Sequence, residues 1–257
     1  MLDDVTKVKI SKTDITGDVE ISGAKLTILD KDDQVVECWI STNEPHYAEK
    51  LPIGKYTLHE EQAPKGFILS NDVTFEMADT GEIQMVAMKD DTAKGKVIIN
   101  KTDADNEEPL KGVEFEIRDS KGKVLEKLVT DAAGHAESGL YEIATYKNGE
   151  FGKLIKYYLV ETKTLDGYTL DSTKHEIVFE YVDQNTSVIE VTKDLTNKEK
   201  QPEGNEAQPH DSGTTGRTSP KTGDNANLWL PIALMIGAAS LAGGILCGSK
   251  KKKKQNN

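Results

Sequence analysis

The chain has 257 residues, 36% hydrophobic and 30% charged. That length holds one large domain or two of about 100 residues. The formal net charge of −12 includes the basic run Lys250–Lys254, so the rest of the chain is more acidic still. A surface this acidic repels phosphate backbones, which argues against nucleic-acid binding. The two cysteines, Cys38 and Cys247, stand in unlike settings and leave neither a disulfide framework nor a Cys-based metal site.

From the N-terminus the pattern is β. VKISK (8–12), KLTILD (25–30), VVECWI (35–40), KYTLHE (55–60), VTFEM (73–77) and IQMVAM (83–88) are short alternating runs divided by turn residues. A second series follows: KVIINK (96–101), VEFEIRD (113–119), KYYLVE (156–161), HEIVFEY (175–181) and SVIEVT (187–192). Turn signals at this spacing predict two tandem antiparallel β-sandwiches, an all-β fold of Ig-like type. No helical period appears before the apolar segment near the C-terminus.

The two series are repeats. Ser11-Lys12-Thr13-Asp14 returns as Asn100-Lys101-Thr102-Asp103, SGAKLTILD (22–30) as KGVEFEIRD (111–119), and YTLHEEQAPKGF (56–67) as YYLVETKTLDGY (157–168). The second copy carries an insertion between residues 120 and 156, in which Asn148-Gly149 predicts a hairpin turn. The expected domains are 1–93 and 94–199, joined by the short polar stretch Asp90–Gly95.

Strand parity adds a sharper expectation, because residues two apart share a face. Val8, Ile10 and Lys12 form one stripe; Tyr56, Leu58 and Glu60 another; Val86, Met88 and Asp90 a third. The second repeat gives Val97, Ile99 and Lys101; Tyr157, Leu159 and Glu161; and Val191, Leu195 and Asn197. Lys193 interrupts the last stripe, which leaves a bulge or a strand end open there. Near a strand end one long polar side chain can snorkel to water. Three such endings in each of two diverged repeats point instead to polar groups aimed at the core, where charges must pair or neutralise.

The Lys-Thr-Asp near the start, the Tyr-x-Leu-x-Glu and the x-Pro-x-Gly-aromatic loop together resemble the collagen-adhesin B-type (Cna B-type, SpaA-like, prealbumin-like) domains of Gram-positive adhesins and pilins. The resemblance covers roughly residues 5–199. It implies a spontaneous isopeptide bond in each domain: Lys12 to Asp90 assisted by Glu60, and Lys101 to Asn197 assisted by Glu161. Asp91 is the alternative partner for Lys12, though its parity points it outward. The first repeat keeps Ala63-Pro64-Lys65-Gly66-Phe67, whereas the second has Thr164-Leu165-Asp166-Gly167-Tyr168 without the proline. The implied chemistry follows from burial, which favours the neutral amine and the neutral carboxyl. A neutral amine is a nucleophile, and a protonated Glu can donate a hydrogen bond and shuttle a proton. The fold supplies effective concentration in place of an activating cofactor. Water leaves from Asp and ammonia from Asn, once per domain, so this is not an enzyme in the turnover sense. Each tie would contribute about 4.5 kcal/mol by the loop-closure formula for cross-links.

Residues 200–218 are rich in Pro, Gly, Gln, Asn, Ser and Thr and read as a disordered spacer. Residues 219–257 follow, in which 228–247 carry no charge and suffice for a transmembrane helix of roughly 30 Å. Lys250–Lys254 then place the C-terminus in the cytoplasm and everything before the span outside. Just ahead stands Ser219-Pro220-Lys221-Thr222-Gly223. The motif, span and basic tail resemble the tripartite sorting signal of sortase substrates, Leu-Pro-x-Thr-Gly. Ser219 replaces the usual Leu, a variant that some sortase classes accept. The resemblance implies cleavage between Thr222 and Gly223 and joining of Thr222 to the peptidoglycan cross-bridge. The protein would then reside on the cell wall of a Gram-positive bacterium after a transient single-pass membrane stage.

Other signals are weaker. The acidic stretches Asp30–Gln34 and Asp103–Glu108 lack the glycine and final glutamate of an EF-hand and read as turns. The histidines show no ligand spacing, and no nucleophile motif or phosphate loop is present. Neither metal nor cofactor is expected. Cys38 reads as a packed thiol and Cys247 as a membrane residue. The functional expectation is a wall-anchored adhesin stalk or minor pilin. Its expected partners are sortase, the peptidoglycan cross-bridge, and other pilin subunits or a host extracellular ligand. Alternatives are a ligand-binding adhesin face in these domains, or the stalk of an enzyme lying upstream. Met1 stands almost on the first strand with no visible signal peptide, although the topology requires export, so the sequence reads as the wall-proximal end of something longer.

Overall fold

The computed structural model describes residues 6–201. The first repeat forms seven strands: β1 (Lys7–Asp14), β2 (Lys25–Asp30), β3 (Val35–Ile40), β4 (His46–Glu49), β5 (Gly54–Gln62), β6 (Val73–Met77) and β7 (Ile83–Asp90). They make a three-stranded sheet ordered β4-β1-β7 and a four-stranded sheet ordered β3-β2-β5-β6. Alternation of side chains explains the layering. Val8 and Ile10 of β1 and Met88 of β7 meet Leu26 and Ile28 of β2 and Leu58 of β5 in one apolar core. Full burial of each such aliphatic side chain contributes about 1.5–3 kcal/mol.

The second repeat builds the same two layers, and a separate two-stranded hairpin β13-β14, from β8 (Lys94–Asp103), β9 (Glu114–Arg118), β10 (Val124–Val129), β11 (His135–Glu137), β12 (Tyr141–Glu142), β13 (Ala144–Lys147), β14 (Glu150–Leu154), β15 (Lys156–Lys163), β16 (Lys174–Val178) and β17 (Val188–Asn197). One sheet is ordered β10-β9-β15-β16; the other is ordered β11-β8-β12, with β17 on β8. Phe115, Ile117, Leu159, Ile177 and Phe179 dominate the core between them. The described residues are all-β and contain no helix, so none there is long and apolar enough to cross a membrane. The span expected at 228–247 and the motif at 219–223 lie outside the described residues.

The sheets are antiparallel except for one pair in each repeat: the first and last strands, β1 with β7 and β8 with β17, run parallel. These strands are connected through the whole repeat and not by a hairpin, so no tight turn forces them antiparallel. At Lys193 the strand neither bulges nor ends: β17 stays in continuous register with β8 from Val188 to Asn197, and Lys193 is half-buried. Cys38 is likewise half-buried in β3.

The insertion of the second repeat reaches back to the first. Asn148 and Gly149 turn the β13–β14 hairpin with φ of 52° and 73°, the left-handed values of a tight hairpin turn. A Cβ on Gly149 would lie 2.6 Å from Ile21 Cγ2. The Tyr146 hydroxyl donates to the Gly66 carbonyl at 2.9 Å, and its ring meets Phe67 edge-on at 5.2 Å. Gln184 closes the other side: its side-chain oxygen accepts from Ala63 N at 2.9 Å and its carbonyl from Leu69 N at 2.9 Å. The joint that reads as short and polar in sequence is therefore flanked by an apolar and hydrogen-bonded contact.

Candidate functional site

Each repeat brings an amine, a carboxyl and an acyl side chain together between its two sheets. In the first, Lys12 of β1 stands opposite Met88, and Asp14 opposite Asp90, in the parallel β1–β7 pair. Lys12 and Asp90 are thus diagonal neighbours on the inward face. Glu60 enters from the facing sheet, on β5, where it pairs with Leu26. The second repeat repeats the geometry: Lys101 opposes Leu195, Asp103 opposes Asn197, and Glu161 comes from β15 beside Phe115.

None of the six is more than 4% exposed, which excludes snorkelling to water. Asp91, the other acid beside the first site, is exposed. Lys12 Nζ donates to Asp90 Oδ1 and lies 2.9 Å from Glu60 Oε1. Asp90 Oδ2 is buried with no hydrogen-bond partner. In the second site Lys101 Nζ donates to Asn197 Oδ1 at 2.7 Å and lies 3.3 Å from Glu161 Oε2. The Asn197 amide in turn donates from Nδ2 to Glu161 Oε1 at 2.7 Å. In each site, therefore, the amine meets the acyl group; the glutamate meets both in the second site and the amine in the first.

Electrostatics follows from burial. Desolvation pushes the Glu60 carboxyl above the usual carboxylate range; the Lys12 amine opposes this and the Asp90 carboxyl adds to it. Desolvation pulls the Lys101 amine below the usual lysine range against the opposing pull of Glu161. Both shifts run toward the neutral amine and the neutral acid that amide formation needs.

Two hydroxyls escape the parity argument. Ser70 lies after the Gly66–Phe67 turn. Its backbone N–H donates to Glu60 Oε2 at 2.9 Å, and its Oγ lies against Asp90 Oδ1 and 3.4 Å from Lys12 Nζ. Thr164 follows β15, and its Oγ1 accepts from Asn197 Nδ2 at 2.6 Å. Both lie outside regular strands, where alternation carries no information. The loop holding Thr164 keeps its turn despite the missing proline: Tyr168 N donates to Leu165 O at 3.1 Å, as Phe67 N does to Pro64 O at 3.0 Å.

Among the described residues no group of His, Cys, Asp or Glu is placed to hold a metal ion. The acidic stretches act as turns: Asp30 Oδ1 accepts from the backbone of Asp32 and Gln34, and Asp103 Oδ1 from Asp105 and Asn106.

Residues 6–92 and 95–197 each match the model of the SpaA prealbumin-like fold domain. Residues 220–257 match the LPXTG cell wall anchor motif, with the match beginning one residue after Ser219. No curated protein matches the chain. Among solved structures, the Bacillus anthracis TIE protein is similar at 25% identity with a TM-score of 0.56, over 76% of this chain and 34% of that one. The chain thus spans about a third of that relative's length. A streptococcal ancillary pilin is similar at 16% identity and a TM-score of 0.34, over 79% of this chain and 64% of that one. The shaft pilin SpaA of Lactobacillus rhamnosus GG is similar at 17% identity and a TM-score of 0.31, over 77% and 99%. The two repeats and the anchor place the protein on the Gram-positive cell-wall surface, and the chain belongs to the SpaA prealbumin-like domain family.

Proposed function

We propose that the protein is a structural element of the wall surface, an adhesin stalk or minor pilin, whose two domains each close by one internal isopeptide bond. Residues 1–93 and 94–199 are the two modules, 200–218 the spacer, and 219–257 the sorting signal cut between Thr222 and Gly223. The observation that carries the reading is the pair of buried Lys–Glu–acyl triads, built alike in two diverged repeats.

In the second domain the neutral Lys101 amine attacks Asn197 Cγ, one bond from the oxygen it already touches. Glu161 takes a proton from Nζ and returns it to Nδ2, and ammonia leaves. In the first, Lys12 attacks Asp90 Cγ with Glu60 in the same office, and water leaves. Each domain reacts once, so the protein does not turn over a substrate. The bonds join the first strand to the last across a parallel pair, so tension along the chain passes through a covalent tie and does not peel the sheet. Peptide mapping of wall-released protein tests this: Lys12 is expected joined to Asp90 and Lys101 to Asn197, and recovery of the unjoined peptides would contradict it.

A second reading, a binding face for a host ligand or another pilin subunit, draws support from β7, whose Ile83 and Met85 are 53% and 72% exposed. A binding screen with wild type and Met85→Lys tests it; equal binding by both counts against that face.

A further inference from the structure

We propose that Ser70 and Thr164 are catalytic hydroxyls of the two bond-forming sites, each holding the atom that departs. The proposal rests on the isopeptide reading above and adds a residue to each site.

The argument begins with a proton count at Ser70. Its Oγ lies 2.6 Å from Lys89 O and also against Asp90 Oδ1. A serine hydroxyl has one proton, and a backbone carbonyl can only accept. As donor to both acceptors Ser70 would share its one proton; the arrangement that gives each contact a full hydrogen bond has Ser70 donating to Lys89 O and accepting from an Asp90 hydroxyl at Oδ1. In that arrangement Ser70 favours the acid form with its hydroxyl on Oδ1, the oxygen that would leave as water. Asp90 Oδ2, buried and unpartnered, is then the carbonyl oxygen.

The second site reaches the same arrangement with another residue. The leaving atom there is Asn197 Nδ2, and its two N–H groups go to Glu161 Oε1 at 2.7 Å and Thr164 Oγ1 at 2.6 Å. In the repeat alignment Ser70 corresponds to Asp171, and Thr164 to Ala63. Neither hydroxyl is inherited from the shared repeat. Each site has its own, at a different place in the loop after the glutamate strand, and each meets the departing atom.

The balance closes in both sites. In the first, the Nζ–Cγ bond forms and Cγ–Oδ1 breaks; Oδ1 keeps the proton shared with Ser70 and gains one from Nζ through Glu60, leaving as water. In the second, Nζ–Cγ forms and Cγ–Nδ2 breaks; Nδ2 gains the Nζ proton through Glu161 and leaves as ammonia. The hydroxyl proton is not consumed. As the leaving atom takes on its extra proton it becomes a stronger donor, so the bond to the hydroxyl oxygen is stronger in the transition state than before it.

The test is a pulse–chase of the full chain, reading the Lys12–Asp90 and Lys101–Asn197 cross-linked peptides by mass spectrometry over time. Ser70→Ala is expected to slow the first cross-link about 10- to 100-fold and leave the second at its wild-type rate. Thr164→Val is expected to do the reverse. Ser70→Thr and Thr164→Ser, which keep a hydroxyl, are expected to restore the rates, while Ser70→Cys, similar in shape but a weak hydrogen-bonding group, stays slow. Slowing that spares the other domain and is rescued by the hydroxyl supports the proposal. Wild-type rates in both Ser70→Ala and Thr164→Val, or no rescue by Ser70→Thr and Thr164→Ser, overturn it while the isopeptide reading stands. Absence of both cross-links in the wild-type chain overturns the isopeptide reading and the proposal with it.

Discussion

Lys101 Nζ donates to Asn197 Oδ1 at 2.7 Å across the parallel β8–β17 pair, with both residues almost fully buried. Burial pulls this amine below the ordinary lysine range, against the opposing pull of Glu161 Oε2 at 3.3 Å. The same contact joins the first and last strands of the domain.

Lys101→Met removes the nucleophile while keeping much of the side-chain volume. The variant is expected to lose about 4.5 kcal/mol of stability from the missing tie, a fall in melting temperature of roughly 20 °C for a domain of this size. Thermal unfolding of matched proteins checks it; a fall of only a few degrees would mean that no covalent tie existed in the wild type.

The Lys101 amine has a pH signature when its partner is removed. In Asn197→Ala the amine stays free, and burial holds its pKa below the ordinary lysine value. Between the lowered value and the ordinary one, the unfolded chain binds a proton that the folded chain does not. Stability therefore rises with pH across that window and is flat with respect to this group below it. Denaturant titrations across alkaline pH should show the rise in Asn197→Ala and lose it in Asn197→Ala/Lys101→Met.

Glu60 carries the opposite sign in the unbonded first domain, for example in Asp90→Ala. Burial, the largest cause, raises its folded pKa, and removal of Asp90 takes away only a smaller raising cause, so between the ordinary glutamate value and the raised one the folded chain holds the extra proton. Stability is then fully present below the ordinary value and falls as pH rises through the raised one. Glu60→Gln in the same background is expected to remove that fall.

Much of this was legible in the sequence, for a specific reason. Lys12, Glu60, Asp90, Lys101, Glu161 and Asn197 lie in or at the ends of strands, so the two-residue period assigns them a face. Strand β4 was not legible, because His46–Glu49 is short and follows a proline-containing turn. Strands β12 to β14 were obscured because they have no counterpart in the first repeat to align with, whereas β10 and β11 take the places of β3 and β4. Ser70 and Thr164 lie in loops, where only the folded chain brings them to the acyl group. The contact between domains was hidden for a related reason: Tyr146 and Phe67 are far apart in sequence, and neither sits in the joint itself.

That contact makes its own prediction. Gly149→Ala places a Cβ 2.6 Å from Ile21 Cγ2 at a φ of 73°, costing at least about 1 kcal/mol. Both domains should keep their folds while cleavage by limited proteolysis at Asp91-Thr92-Ala93 accelerates. Unchanged cleavage would mean that the hairpin does not hold the joint.

The isopeptide bonds are tested most directly by the intact mass of residues 1–218. The account predicts a mass below the sequence value by one water and one ammonia, with Lys12→Ala abolishing only the loss of water and Lys101→Ala only the loss of ammonia. A wild-type mass equal to the sequence value would contradict it.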